Sequence, residues 1–285
     1  MVVFNVDSSY ATQKEASLIT GPVLDESQQK LRILLAEDNL VNRVLAQKLL
    51  QKHGHTVTSA NNGREAVQLW EQNQSSQFDV ILIDVQMPEM DGLQAAAAIR
   101  EKEKGTGAHI PIIAVTAHAM KGDRERCLAA GMDGYISKPI NPGELAKTIH
   151  AIIPARRDPV VAPLDANQEA ARDSELLARF DGDAELLKEL PGIFLQECPK
   201  MLNDIREALR TGDPKGVEHA AHTLKGSVGN FVLVGPRETA QRVESLGKSG
   251  QLAGAEEIVR ALEQQLAPFN QTLLRNTAET ARQLR

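Results

Sequence analysis

The sequence predicts two domains of different class: a doubly wound α/β domain built on a five-stranded parallel sheet, then an all-α four-helix bundle. Three observations carry this. Length comes first, because 285 residues make about two domains at ~150 residues each. Between residues 31 and 153, short apolar runs alternate with stretches whose apolar residues recur at helical spacing. After about residue 170 the short runs stop and only the helical spacing continues.

The strand-like runs are 32–36 (RILLA), 56–60 (TVTSA), 79–83 (DVILI), 111–115 (PIIAV) and 134–137 (GYIS). Those at 79–83 and 111–115 are apolar without alternation, as suits central strands covered on both faces. The intervening stretches include Val41, Val44, Leu45, Lys48 and Leu49, and later Leu145, Ile149 and Ile152. Strands and helices in strict alternation give a parallel sheet with helices on both sides. Residues 1–29 are polar and weakly periodic, and read as a leader or as the end of something upstream. Residues 154–170 carry three prolines and read as a linker, so the domains are expected at 30–153 and 171–285.

In the second domain Leu186, Leu187, Leu190, Ile193, Phe194, Met201, Leu202, Ile205 and Leu209 repeat at helical spacing. Pro191 and Pro199 are expected to start or kink that helix. Helical segments near 214–232, 236–249 and 254–284 follow, separated by the turns TGDP, VGP and SGQLAG. Four helices with short connections suggest an antiparallel bundle.

Composition narrows the function. Hydrophobic residues make up 42% and aromatics 3%, which leaves little for the stacking platforms of single-strand nucleic-acid binders. A formal charge of -6 gives no pull towards phosphate backbones, so no nucleic-acid partner is expected. No run approaches the ~18–20 apolar residues of a membrane span. Cys127 and Cys198 lie far apart and read as reduced thiols, and the chain is expected to be cytoplasmic.

Chemistry in a doubly wound sheet gathers at the carboxyl edges of the strands. Those edges carry Glu37 and Asp38, then Asp84, Thr116 and Lys138. Three carboxylates in one crevice repel unless a cation joins them, and hard oxygen ligands suit Mg²⁺. The cation, Thr116 and Lys138 would bind the oxygens of a phosphoryl group, leaving Asp84 on the central strand as the nucleophile that forms an acyl phosphate. Asp91 in DGL reads as a helix N-cap.

LLAEDN, ILIDVQMPEMDG, IIAVTA and GYISKPI resemble the receiver domain of two-component response regulators, over about residues 31–153. The resemblance implies Asp84 as phosphoacceptor and Mg²⁺ held by Asp38, Asp84 and the backbone carbonyl of Gln86, with Glu37 acting through water. It implies that Thr116 and Lys138 contact the phosphoryl group and that the Tyr135 rotamer follows Thr116. It also implies a cis Lys138–Pro139 bond. His118 stays open, either at the pocket mouth or as a solvated helix-start residue.

In DPKGVEHAAHTLKGSVGNFV, the residues Val217, Ala221, Leu224, Val228 and Phe231 form one apolar stripe. On a helical wheel His222 lies roughly 140° from its centre and is expected to face water. Lys225, Gly226 and Gly229 share that face. Glycine inside a helix costs about 1 kcal/mol relative to alanine, and the clearance it leaves would admit a bulky phosphorylated partner, with Lys225 as counter-charge. A surface histidine on a loose helix, or a metal pair of His219 and His222, are the other readings. AHTLKGSVGN is similar to the core of the histidine phosphotransfer domain, over about 165–285, which implies His222 as phosphoacceptor supported by Lys225 and Gly226.

Together the two resemblances imply a phosphorelay protein, as at the C-terminus of hybrid sensor histidine kinases. An upstream histidine kinase would load Asp84, and His222 would pass the group to a downstream response-regulator receiver. Neither a Walker motif nor a protein-kinase glycine loop is present. A docking scaffold without turnover is the rival, though all the pocket residues are in place. A haloacid-dehalogenase-like phosphatase would want a second Asp two residues after the nucleophile, where this chain has Gln86. Direct exchange between Asp84 and His222 of one chain would require the linker to let the two faces meet.

Overall fold

A computed structural model describes residues 30–72, 78–116, 121–138, 140, 142–152, 183–231 and 233–283. The leader, the 154–170 linker, His118 and Pro139, where a cis bond is expected, lie outside the described residues.

Five strands form the first domain: β1 Arg32–Ala36, β2 Thr56–Ala60, β3 Val80–Asp84, β4 Ile112–Thr116 and β5 Gly134–Ser137. All pair in parallel in the order β2-β1-β3-β4-β5, the flavodoxin-like arrangement. β3 and β4 begin one residue later than the apolar runs suggest, so Asp84 and Thr116 are the last residues of their strands.

Side-chain alternation along each strand sorts the core into two layers. Leu34, Ile81, Ile83, Ile112 and Ala114 pack under α2 (Gly63–Gln72), α3 (Gly92–Glu103) and α4 (Lys121–Ala129). Ile33, Leu35, Leu82, Val115 and Ile136 pack under α1 (Leu40–Lys52) and α5 (Pro142–Ile152). Asp91 caps α3 in a reciprocal capping box with Gln94. Gly92 is fixed by space, since a Cβ there would sit 2.2 Å from the carbonyl oxygen of Asp84.

The second domain contains α6 (Ala184–Arg210), α7 (Pro214–Gly229), α8 (Val234–Ser249) and α9 (Ala255–Gln283). α6 runs through both Pro191 and Pro199, so neither starts a helix. Asp213 caps α7 and Pro214 occupies its first turn, where the missing N–H costs nothing. The stripe Val217, Ala221, Leu224 and Val228 is buried as its spacing predicts. Phe194, Phe231 and Phe269 meet with ring centroids 4.9, 5.8 and 5.5 Å apart. No described helix is long and apolar enough to cross a membrane.

α1 serves both domains. Ala46 and Leu50 face the sheet, while Val41, Leu45 and Leu49 join the core of the bundle. The latter three follow i, i+4, i+8 and form a second stripe on the same helix. Their neighbours Val44 and Lys48 reinforce the contact, Val44 by packing and Lys48 through an ion pair with Glu189 of α6 at 3.1 Å.

The two faces of α1 are separable by mutation. Leu50→Ala is expected to cost the sheet domain about 2–5 kcal/mol, read as a lower denaturation midpoint. Leu45→Glu is expected to part the two domains while the sheet domain keeps its cooperative unfolding, read by small-angle scattering together with calorimetry.

Candidate functional site

The ends of β1, β3 and β4 and the start of the segment after β5 bring the predicted pocket residues together. Glu37, Asp38 and Asp84 each offer an oxygen within 4.8 Å of the others. Asp84 is buried, and so is Glu37. The Lys138 ammonium lies 2.6 Å from Asp84 Oδ2 and 2.7 Å from Glu37 Oε2. The Gln86 backbone N–H donates to Asp84 Oδ1 at 3.2 Å. Thr116 is buried at the neighbouring strand end, and Tyr135 is half-buried with the Arg124 guanidinium 5.9 Å from its ring centre.

One ammonium among three carboxylates leaves an acidic excess in a dry crevice. Burial raises the Asp84 carboxyl far above its usual range; Lys138 opposes this, and Glu37 and Asp38 add to it. Burial, with Glu37 beside it, pushes Asp38 up to about 6. Burial alone would lower Lys138, but Asp84 and Glu37 override it and raise the ammonium above its ordinary value. Such a set accepts a hard divalent cation, which would relieve the repulsion that Lys138 leaves uncompensated.

The bundle lies against this pocket. His219 Nε2 is 3.4 Å from Asp38 Oδ2. Asn39, the N-cap of α1, donates through Nδ2 to the Thr223 carbonyl and to Ser227 Oγ, each at 2.7 Å. Asn42 Nδ2 donates to Glu37 Oε1 at 3.1 Å, and Asn42 Oδ1 accepts from Asn230 Nδ2 at 2.8 Å. Gly226 faces Asn42, whose Nδ2 would lie 3.0 Å from a Cβ at that position. The clearance expected at Gly226 is thus filled by the chain's own first domain, whereas Gly229 has Arg237 as its neighbour.

His222 is only 6% exposed, contrary to the expectation that it faces water. The wheel places it correctly off the bundle core. Its outward face is nevertheless covered, because residues on either side of it touch the α/β domain. Lys225 is likewise buried and pairs with Glu244 at 2.5 Å, rather than standing free as a counter-charge. Among the described residues, His219 and His222 join no group of three or more metal-ligating side chains. The ligating cluster found among the described residues is the carboxylate trio.

Glu244 is the residue that sequence reasoning missed. It accepts from His222 Nδ1 at 3.0 Å, from Lys225 and from Lys248. Burial would raise its carboxyl, but those donors hold it well below the usual range, so it is ionised. A carboxylate only accepts, hence Nδ1 carries the proton and Nε2 keeps the lone pair. Burial lowers the His222 pKa; Lys138 and Lys225 act in the same sense, and Glu244 opposes them. Gly247 makes this possible: a Cβ there would lie 2.4 Å from the Glu218 backbone nitrogen, so α8 closes on α7 and sets Glu244 beside the imidazole. The sequence signal was available, as an acid one turn before a glycine on the helix following the histidine.

Residues 33–150 match the response regulator receiver domain family, and residues 189–272 match the Hpt domain family. The hybrid signal transduction histidine kinase I of Dictyostelium discoideum is 49% identical over 124 residues, covering 43% of this chain and 7% of its own length. The signal transduction histidine-protein kinase BarA of Escherichia coli K12 is 31% identical over 250 residues, covering 85% of this chain and 26% of its own length. The chain therefore spans about a quarter of the length of BarA and less than a tenth of the Dictyostelium kinase. The magnesium-bound receiver domain of sensor histidine kinase PA1611 from Pseudomonas aeruginosa is 38% identical, with a TM-score of 0.39, covering 45% of this chain and all of that one.

Two outcomes follow from the charges. Protons compete with a divalent cation for raised carboxyls. Mg²⁺ affinity by calorimetric titration is therefore expected to fall as the pH drops below about 8, where Asp84 takes up a proton, and more steeply below about 6, where Asp38 joins it. Glu244→Gln leaves a buried ammonium without its counter-charge, and is expected to cost about 3 kcal/mol of bundle stability. Nitrogen chemical shifts of His222 should then show loss of the single Nδ1–H tautomer.

Proposed function

We propose that this chain, which belongs to the two-component signalling family as a receiver domain followed by an Hpt domain, relays a phosphoryl group between Asp84 and His222 within one molecule. The observation that carries the reading is the dock itself, which sets the neutral, Glu244-oriented imidazole of α7 against the acidic pocket.

In the first step a phosphohistidine on an upstream kinase meets Asp84. The P–N bond to the donor imidazole breaks as a P–O bond to the Asp84 carboxylate forms, giving a mixed anhydride. Glu37, Asp38 and Asp84 would hold Mg²⁺, with Gln86 beside them, and the bound cation would neutralise charge on the transferring oxygens. Lys138 would leave Asp84 Oδ2 for a phosphoryl oxygen, and Thr116 would contact another. In the second step the lone pair on His222 Nε2 takes the group as the P–O bond breaks and the Asp84 carboxylate leaves. Glu244 stabilises the positive charge that develops on the ring, while Nδ1 keeps its proton. Lys225 keeps Glu244 ionised and in place. Gly226 lets the pocket approach the ring. From His222 the group would pass to the aspartate of a separate response-regulator receiver.

Treatment with a small-molecule phosphodonor and Mg²⁺, followed by mass spectrometry, tests the reading. The unaltered chain is expected to carry phosphoryl on Asp84 and then on His222. His222→Gln should retain only the base- and hydroxylamine-labile aspartyl product. Asp84→Asn should lower His222 labelling through the pocket at least about a hundredfold. Equal labelling of His222 with and without Asp84 would refute transfer through the pocket.

A further inference from the structure

We propose that Asn42 is the positioning and specificity-determining residue of the dock, carrying the state of the acidic pocket to the bundle. The inference deepens the relay reading by saying how the bundle selects its own receiver. Asn42 lies in the first turn of α1, and its backbone N–H donates to the Asn39 side chain at 3.1 Å. Its carboxamide is used at both ends. The NH₂ group donates to Glu37, a member of the carboxylate trio, and the oxygen accepts from Asn230 just past α7.

Only a side chain that donates at one end and accepts at the other fits this position. An aspartate would put a second carboxylate against Glu37. An aliphatic residue would leave the buried Asn230 amide without an acceptor, which costs more than the hydrogen bond itself. The bundle is shaped for the amide as well, since Gly226 presents bare backbone where a Cβ would stand 3.0 Å from Asn42 Nδ2. Three independent contacts, to Glu37, Asn230 and Gly226, therefore converge on one residue that lies between the pocket and the histidine helix.

The test uses the full chain, in chelator, with dyes at Lys104→Cys and Ser249→Cys. Both positions are exposed, while Cys127 and Cys198 are buried. Single-molecule energy transfer then counts docked and undocked molecules. Asn230→Ala should lower the docked-to-undocked ratio about three- to tenfold, the worth of one neutral hydrogen bond, and Asn42→Ala, which strands the Asn230 amide, should lower it further. The double change should do no more than the worse single one. Asn42→Asp should exceed Asn42→Ala. Glu37→Ala and Asn230→Ala should be non-additive in the unaltered background and additive when Asn42→Ala is present. Additivity of Asn42→Ala with Asn230→Ala, or Glu37–Asn230 coupling that survives Asn42→Ala, overturns the proposal. Phosphoryl transfer is measured on the same proteins after Mg²⁺ has replaced the chelator. Its absence from a chain whose docking obeys the cycle would sink the relay reading and leave the role of Asn42 in docking standing.

Discussion

The second apolar stripe of α1 is the constraint on which the rest depends. A helix on a doubly wound sheet needs one buried face, and Ala46 and Leu50 supply it. Val41, Leu45 and Leu49 are surplus to that need, and exposed they would form a continuous apolar row on the sheet domain. Burying them in the bundle removes the row from water. It also fixes where the start of α1 sits, because the stripe begins two residues beyond the Asn39 cap. The cap follows directly on Glu37 and Asp38, so packing along α1 carries the acidic crevice to the histidine helix.

The chemistry at the junction depends on how charge is shared there. The pocket has more carboxylates than cations, and the bundle side has more cations than carboxylates around Glu244. Each side is locally imbalanced in a way that suits its half of a transfer. Excess negative charge calls for a divalent cation and so for phosphate oxygens. The cations around Glu244 hold that carboxylate ionised, which fixes the imidazole tautomer without protonating the ring. Asp38 and His219 touch across the boundary, so neither imbalance is screened from the other.

Much of this was legible in the sequence, and the parts that were not share a cause. Strand runs, the order of the carboxyl edges and the α7 stripe are local patterns, set by backbone periodicity and by burial within one domain. Each appears in the structure within a residue or two. His222 was misread as solvent-facing because a helical wheel knows only its own domain's core; it separates core from non-core, not water from a second protein surface. The bundle contact of Val41, Leu45 and Leu49 escapes the sequence for the same reason, since helical spacing marks them as apolar without saying what covers them. Pro191 and Pro199 are expected to start or kink the helix on local cost alone, and α6 runs on through both because it gains the packing of Leu190, Phe194 and Cys198.

Glu244 shows the deeper limit. Nothing in the spacing of an acid on one helix and a histidine on another links them until the approach of those helices is known. That approach is written in Gly247, where bare backbone meets the Glu218 nitrogen and no side chain fits. A glycine in a helix interior costs about 1 kcal/mol, so its presence marks a contact that returns more. In α7 the glycine at 226 marks the contact with Asn42, and in α8 the one at 247 marks the contact that delivers Glu244. Read as marks of close approach, these two glycines locate both surfaces that enclose His222, one from each domain. A histidine enclosed on two sides by such contacts is held for a reaction at its remaining nitrogen.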